Sequence, residues 1–164
     1  MIHKITFKNY LSFAEEQVVD FTVGKRAPDN TTYRKSGYDA DTRVSTLLAV
    51  LGANAHGKSN LLDMVHFIKK VAVDSYKDDT LLQSAYAHEL HNDASTKFEI
   101  EFYCGESLYK YKIEIKKNIV LEETLTLKEE EEPGRPKVVL SLTRDEEGHI
   151  TDMSFGENSE NIST

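Results

Sequence analysis

The residues of this sequence most able to do chemistry lie in one short stretch, Gly52–Ser59, which reads GANAHGKS. It fits the pattern of a glycine, four variable residues, a second glycine, a lysine, and a serine or threonine. Gly57 leaves room for the backbone to approach a phosphate, because no Cβ stands in the way. Lys58 supplies a positive charge for the phosphates, and the Ser59 hydroxyl is suited to bind Mg²⁺. The stretch predicts a P-loop, a site for a nucleoside triphosphate with its metal ion.

Two elements must flank such a loop, a strand before it and a helix after it. Val44–Leu51 is a continuous apolar run, which is typical of a strand buried on both faces. Gly52 then lets the chain leave that strand sharply. A helix is predicted from about Lys58 to Tyr76. Its apolar stripe recurs at three- and four-residue spacing and comprises Leu61, Leu62, Val65, Ile68, Val71 and Ala72. With these flanks, backbone N–H groups from Asn54 to Ser59 can converge on a phosphate at the helix N-terminus.

The chain before the loop predicts short strands and a connection. Ile2–Phe7 and Gln17–Val23 alternate with period two and predict an antiparallel ribbon. Residues 24–43 contain Gly, Pro, Asp and Asn, and they are interpreted as a loop or an insertion.

The chain after the helix changes character. Residues 77–96 are polar and ambiguous, with a possible short helix around Leu81–Leu90. Residues 97–155 alternate apolar and polar side chains between turn signals, which predicts an antiparallel β meander with one solvated face. Residues 156–164 form a polar tail.

Composition limits the classes of partner. The net charge is −8, with 11 Lys and Arg against 10 Asp and Glu in residues 1–80, and 9 against 18 in residues 81–164. The acidic half disfavours nucleic-acid binding through a broad basic face of this segment. No apolar run is long enough to cross a bilayer, so no membrane partner is expected. Cys104 is the single cysteine, which excludes an intrachain disulfide and favours a cytoplasmic location.

Two stretches resemble a known family. Ile5–Phe13 (ITFKNYLSF) and Gly52–Asp63 (GANAHGKSNLLD) look like the start of ABC-type ATPase heads of the SMC, RecF and OLD-like group. The likeness is closest to stand-alone bacterial ATPases of abortive-infection, Septu, retron and PARIS-type anti-phage systems. It implies an α/β P-loop NTPase fold of ABC-head type over residues 1–155, which would be the N-terminal lobe of an incomplete head domain.

The resemblance also implies site residues and cofactors. ATP and Mg²⁺ are the expected cofactors, with Lys58 as the catalytic residue and Ser59 as the metal ligand. The expected nucleotide-binding residues are Gly52, Asn54, Ala55, His56, Gly57, Lys58, Ser59 and Asn60. Two positions depart from many relatives. Leu11 stands where an arginine often helps to hold the nucleotide, and His56 stands where alanine or serine is common, so that only its backbone N–H is expected to serve.

The water-activating half of an ABC-type site is not evident. Such a head needs an acidic strand end, a signature loop and a switch histidine. Ile119–Glu123 is an apolar stretch ending in two glutamates, but it lies among period-two hairpins and is better interpreted as a meander strand. The resemblance offers Gln83 as a glutamine that senses the γ-phosphate, but a surface residue is the favoured interpretation. Glu129–Glu132 is interpreted as a solvated acidic loop in preference to a metal or partner site, and Arg144–Gly148 as a hairpin turn.

Several functions are consistent with the sequence. The first is an ATPase that forms a homodimer or larger homo-oligomer through its ATP heads and regulates a nuclease or toxin subunit in phage defence. The second is a nucleotide-sensing module with little or no hydrolysis, and a DNA repair or maintenance ATPase is a further alternative. A small kinase or GTPase is disfavoured, because the sequence has no Asn-Lys-x-Asp motif and has a strand ribbon before the P-loop.

Overall fold

The computed structural model describes residues 1–24, 33–35, 42–74, 82, 86–129 and 135–156. One α-helix and ten strands lie within these ranges, together with a 3-10 helix at Glu89–His91. The elements are β1 (Ile2–Lys8), β2 (Gln17–Asp20), β3 (Thr22–Val23), β4 (Tyr33–Lys35), β5 (Arg43–Ser45), α1 (Lys58–Asp74), β6 (Thr96–Cys104), β7 (Ser107–Lys116), β8 (Ile119–Glu129), β9 (Lys137–Arg144) and β10 (Ile150–Phe155). None of the described helices has the length and hydropathy that a membrane-spanning helix needs.

Seven strands form one antiparallel sheet in the order β10-β9-β8-β7-β6-β1-β2. The predicted meander is therefore confirmed as β6 to β10, in which each strand pairs with the next along the chain. The N-terminal strand β1 extends this meander by pairing with β6, so that Phe7 lies opposite Phe98. Residues 9–95, which include the P-loop, thus connect two strands that are neighbours in the sheet.

Tight turns explain why the meander strands pair in sequence order. Lys117 and Asn118 both have positive φ, 47° and 69°, as the two-residue turn between β7 and β8 requires when it is of type I′. Gly105, with φ 62°, begins the turn between β6 and β7. Residues 145–149 close the β9–β10 hairpin, as predicted, and the Asp145 N–H donates to the His149 carbonyl at 3.0 Å.

The outer face of the sheet is a lattice of opposite charges. Lys110 Nζ lies 2.9 Å from Glu99 Oε1 and 2.8 Å from Glu101 Oε1. Glu101 also contacts His3, at 3.1 Å from its Nδ1. Charged pairs that face each other across strands are the usual way to make a sheet face compatible with water. The predicted solvated face is confirmed.

Helix α1 covers the opposite, apolar face. Its buried side chains are Met64, Phe67, Ile68 and Val71, which join a core with residues of β1, β6 and β7 such as Ile5, Phe98 and Ile113. The predicted stripe was partly wrong. Leu62 is 64% exposed and Ala72 is exposed, whereas Met64 and Phe67, which the prediction omitted, are buried. Leu62 lies about 100° around the helix from Leu61, which turns it away from the sheet.

A second, three-stranded sheet has the order β3-β5-β4. This sheet corrects two predictions, one for residues 17–23 and one for residues 24–43. The predicted second strand, Gln17–Val23, breaks at Phe21, and only its first half pairs with β1 while β3 pairs with β5. The region 24–43, predicted as a loop or insertion, contains strand β4, which pairs with β5.

The predicted strand before the P-loop is wrong beyond Ser45. Val44 is fully buried in β5, but residues 46–53 are not in a strand, and Leu47, Leu48 and Leu51 are 72%, 45% and 91% exposed. A strand buried on both faces needs neighbouring strands for its N–H and C=O groups and packed layers above and below. Within the described ranges no strand pairs with residues 46–51.

The remaining predictions fall mostly outside the described ranges. These are Gln83, residues 130–132 of the acidic run, Tyr76 at the predicted end of the helix, and residues 157–164 of the tail. Of the helix expected around Leu81–Leu90, the described part shows a 3-10 turn at Glu89–His91.

Candidate phosphate-binding site

The backbone of the P-loop alternates in handedness. Ala55 has φ 61° and Gly57 has φ 79°, and His56 between them is not left-handed. Alternation of right- and left-handed residues turns successive N–H groups toward one side and forms a concavity that binds anions. Ala55 is notable because a side chain in this region of φ is uncommon. The sequence pattern identified the loop, but only the structure shows that its second left-handed residue is Ala55.

Helix α1 begins directly at the end of this concavity. It starts at Lys58, and its first backbone hydrogen bond runs from Leu61 N to Gly57 O at 2.9 Å. The N–H groups of the first turn therefore have no acceptor within the helix, and the helix dipole places partial positive charge there. The described geometry offers an anion several backbone donors at one point.

Lys58 lies over the mouth of the loop. Its ammonium donates to the Gly52 carbonyl at 2.9 Å and also to the Ala53 carbonyl. A cation on a flexible stem that is held only by loop carbonyls can turn toward a phosphate at small cost. Gly52 itself is not left-handed, and the nearest atom to a Cβ built there is Lys58 Cδ at 4.0 Å.

Two side chains predicted to contact nucleotide make other contacts in the structure. His56 is exposed, and its Nδ1 donates to the Asn54 carbonyl at 2.8 Å, which fixes the shape of the loop from within. Asn60, in the first turn of α1, donates from Nδ2 to Ser12 Oγ at 2.9 Å. Ser59 is exposed and presents its hydroxyl at the helix start.

The P-loop rests on the segment Asn9–Phe13, called here the N-terminal turn. A Cβ built on Gly57 would lie 2.9 Å from both Phe13 Cζ and Ser12 Oγ. Only glycine satisfies both the positive φ and this close approach. The turn is closed by two hydrogen bonds between Tyr10 and Phe13, each of 2.9 Å.

Asn9 anchors this turn to a distant segment of the chain. It is 2% exposed and has φ 55°, and its Oδ1 accepts from His88 N at 3.1 Å. Its side-chain nitrogen donates to three backbone carbonyls, those of His91, Ala94 and Ser95. Leu11 N donates to Tyr86 O at 2.9 Å. Sequence reasoning missed this anchor, since an asparagine after a strand signals a turn and not its partners.

Comparison with known proteins finds a match to a family model. Residues 47–156 match the model of a family described as "AAA domain, putative AbiEii toxin, Type IV TA system". The chain belongs to this family. The matched range contains the P-loop, α1 and the whole meander. No curated protein matches the sequence.

The two glutamates that end the apolar stretch Ile119–Glu123 belong to the described antiparallel sheet of the AAA domain. Glu122 and Glu123 follow each other in β8, within the meander, as the sequence predicted. Glu122 is exposed, while Glu123 accepts a hydrogen bond of 2.8 Å from the Tyr111 hydroxyl. Burial and the nearby Glu123 charge raise the pKa of Tyr111, so this hydroxyl remains a donor. Among the residues that the structure describes, no group of three His, Cys, Asp or Glu could hold a metal ion.

Leu11 of the AAA domain has a structural role at the position for which the resemblance implies an arginine. It is left-handed, with φ 48°, and half-buried beside the core. The neighbouring Tyr10 is 3% exposed, and burial, with added effects of Asp63 and Tyr86, raises its pKa to about 12. The turn therefore contributes apolar packing and backbone hydrogen bonds, and its described contacts supply no cation for phosphate.

Proposed function

We propose that this AAA domain binds ATP with Mg²⁺ through residues 52–60 and is the phosphate-binding half of an ABC-type ATPase site. The observation that carries the proposal is the left-handed pair Ala55 and Gly57 at the start of α1, with the Lys58 ammonium at the loop mouth. The N–H groups of residues 54–59 would hold the phosphates, and Lys58 would neutralise their charge. The Ser59 hydroxyl would be one ligand of Mg²⁺, which when bound offsets the charge of the phosphate oxygens.

Nucleotide binding can be tested directly by thermal shift with ATP and Mg²⁺. The unfolding temperature of the wild-type chain should rise, because a ligand that binds only the folded state stabilises it. Lys58→Ala should remove most of this rise. Lys69→Ala, which removes an exposed lysine from the same helix, is the matched control and should leave it unchanged. An equal rise in wild type and Lys58→Ala would contradict the proposed site.

We further propose that hydrolysis needs a composite site, formed when two ATP-bound heads associate. The support is that Glu122 and Glu123, the adjacent carboxylates that the sequence offered, belong to the meander strand β8, where Glu123 accepts a hydrogen bond from Tyr111. The chain alone should then show little turnover. It should also associate more in ATP and Mg²⁺ than in ADP, as measured by light scattering after size exclusion. Steady turnover by a strictly monomeric chain would contradict the composite site.

The biological role that we propose is control of a nuclease or toxin partner in phage defence. The support is the family description, which names the AbiEii toxin and a type IV toxin–antitoxin system. A nucleotide-sensing module is the main alternative, and a DNA repair or maintenance ATPase is another. ATP affinity without ATP-dependent association or turnover would favour the sensor. Stimulation of turnover by DNA would favour the maintenance ATPase.

A further inference from the structure

We propose that Ser12 and Asn60 are positioning residues whose hydrogen bond holds the P-loop in its phosphate-binding conformation. They act through the backbone of Gly57 and need not touch the nucleotide. This inference rests on the proposed function, because it assigns a role within the same phosphate-binding site. It also assigns Asn60 a task other than the nucleotide contact that the sequence suggested.

The Ser12 hydroxyl lies next to both the end of the P-loop and the first turn of α1. Ser12 Oγ accepts from Asn60 Nδ2 at 2.9 Å, and it also lies 2.9 Å from the position of a Cβ built on Gly57. Asn60 follows Gly57 by three residues, so the loop end lies beside the same hydroxyl to which the first turn of α1 is bonded. A change in the φ of Gly57 would move its backbone against this hydroxyl or away from it.

The N-terminal turn can serve as a fixed support because the residues on both sides of the exposed Ser12 are buried or pack against the core. Tyr10 is buried, and its ring stacks with Phe67 of α1 at a centroid distance of 5.9 Å. Phe13 packs edge-on against Phe7 of β1, with ring centroids 5.1 Å apart. The side chain of Asn9 adds hydrogen bonds to residues 88–95. Displacing the turn would therefore disturb its packing on α1 and β1 and its hydrogen bonds to residues 88–95.

The P-loop itself has weaker means of holding its shape. Residues 52–56 are exposed. The hydrogen bonds of its own side chains run within the loop, from His56 to Asn54 and from Lys58 to Gly52 and Ala53. The strained Ala55 adds a tendency to relax, since a left-handed non-glycine residue is unfavourable. A contact to the rigid turn is what the loop needs to keep its N–H groups aligned before phosphate arrives.

The hydrogen-bonding capacity of Asn60 fits this role better than direct phosphate contact. One N–H of its side-chain amide donates to Ser12, which holds that amide against the N-terminal turn, whereas the backbone N–H groups of the first turn of α1 have no acceptor within the helix and can bind an anion. Because its side chain is half-buried, it can pack beside the turn without blocking the loop mouth.

A double-mutant cycle with two ligands tests the effect on binding. Calorimetry would measure the Kd of ATP and of inorganic triphosphate, both with Mg²⁺, for wild type, Ser12→Ala, Asn60→Ala and the double variant. Each single variant should weaken both ligands about 3- to 10-fold, the effect of one lost hydrogen bond. The double variant should bind each ligand no more weakly than the weaker-binding of the two single variants does, because the same hydrogen bond is lost in all three variants. Ser154→Ala, an exposed serine in β10, is the control and should bind normally.

Hydrogen exchange of the nucleotide-free chain tests the contact without any ligand. Ser12→Ala and Asn60→Ala should speed amide exchange in residues 54–59, while exchange in the second half of α1 stays as in wild type. A purely structural defect would speed exchange throughout the helix. Unchanged exchange in the loop, or additive losses of affinity in the double variant, would overturn the inference. Wild-type affinity in Lys58→Ala would instead overturn the proposed function, whatever the loop exchange shows.

Discussion

At the scale of single residues, only one of the two glycines of the P-loop motif is required by the backbone. The motif suggested that Gly52 and Gly57 are both needed by the backbone. In the structure Gly57 has φ 79° and a Cβ there would lie 2.9 Å from Ser12 Oγ, whereas Gly52 has neither constraint. The second left-handed residue of the loop is Ala55, which the motif treats as variable. The pattern located the site but not the strain within it.

The first prediction compares the two glycines. Gly57→Ala should lower the free energy of unfolding by about 2 kcal/mol or more, because it adds a left-handed alanine and a clash with the N-terminal turn. It should also weaken ATP binding. Gly52→Ala should change the free energy of unfolding by less than about 0.5 kcal/mol, since only a flexible lysine methylene is near. Urea denaturation measures both, and equal losses would contradict the assignment.

At the scale of elements, prediction succeeded where the signals were local. Period-two alternation and two-residue turns such as Lys117-Asn118 define hairpins between adjacent strands, so the meander could be predicted closely. The pairing of β1 with β6 could not be predicted, because β6 lies far along the chain from β1. The strand before the P-loop failed for a related reason. Its apolar run has strand character, but pairing depends on neighbours that the described residues do not supply.

The second prediction concerns how α1 packs on the sheet. Met64→Ala should lower the free energy of unfolding by about 2–5 kcal/mol, because it leaves a cavity in a fully buried position. Leu62→Ala is the matched control. It removes a similar side chain that is 64% exposed and should cost less than about 0.5 kcal/mol. The reverse order in a denaturant titration would show that the helix is rotated from the described orientation.

The third prediction concerns the charged outer face of the sheet. Burial alone would raise the pKa of Glu101, but the hydrogen bonds and charge of Lys110, with the bond to His3, hold it below its ordinary value of 4.5. A carboxyl group with a depressed pKa stabilises the fold above its unfolded-state pKa, and this stabilisation is lost as pH falls through the folded-state value. Wild type should therefore lose more stability between pH 6 and about pH 3.5 than Glu101→Gln.

The measurement for this prediction is the urea midpoint at each pH. Glu106→Gln, in the exposed turn between β6 and β7, serves as control for the removal of one carboxylate, and it should keep the wild-type pH dependence. If Glu101→Gln and wild type lost stability in parallel as the pH fell, the ion pairs with Lys110 would not contribute to folding.

At the scale of the whole molecule, apolar side chains are distributed unevenly. Helix α1 covers the part of the sheet that contains β1, β6 and β7, and the core lies there. The run before the P-loop is uncovered, with Leu47 and Leu51 among the most exposed leucines of the described residues. Exposed apolar segments with strand character promote association with other chains. The apolar side chains under α1 are therefore packed, whereas the leucines of the run before the P-loop are open to solvent.

The fourth prediction follows from this exposure. The isolated chain should self-associate as its concentration rises, and Leu51→Lys should reduce this association without lowering the free energy of unfolding, because Leu51 is 91% exposed. Leu90→Lys is the matched control, since Leu90 is 82% exposed in the 3-10 turn outside the run. Sedimentation velocity over a range of concentrations measures the effect. Equal reductions in both variants would assign the association to net charge alone.

The anchoring of Asn9 to residues 88–96 has a consequence for the order of folding. Strands β6 to β10 pair with sequence neighbours and close only short loops, so this part should fold early. The bond from Thr96 Oγ1 to Asn9 O joins residues 87 positions apart, and its loop closes at a larger entropic cost. The N-terminal turn, and with it the P-loop, should therefore form last. In stopped-flow refolding, fluorescent ATP should report a slower phase than that of the sheet, and the nucleotide site becomes a marker for completed folding.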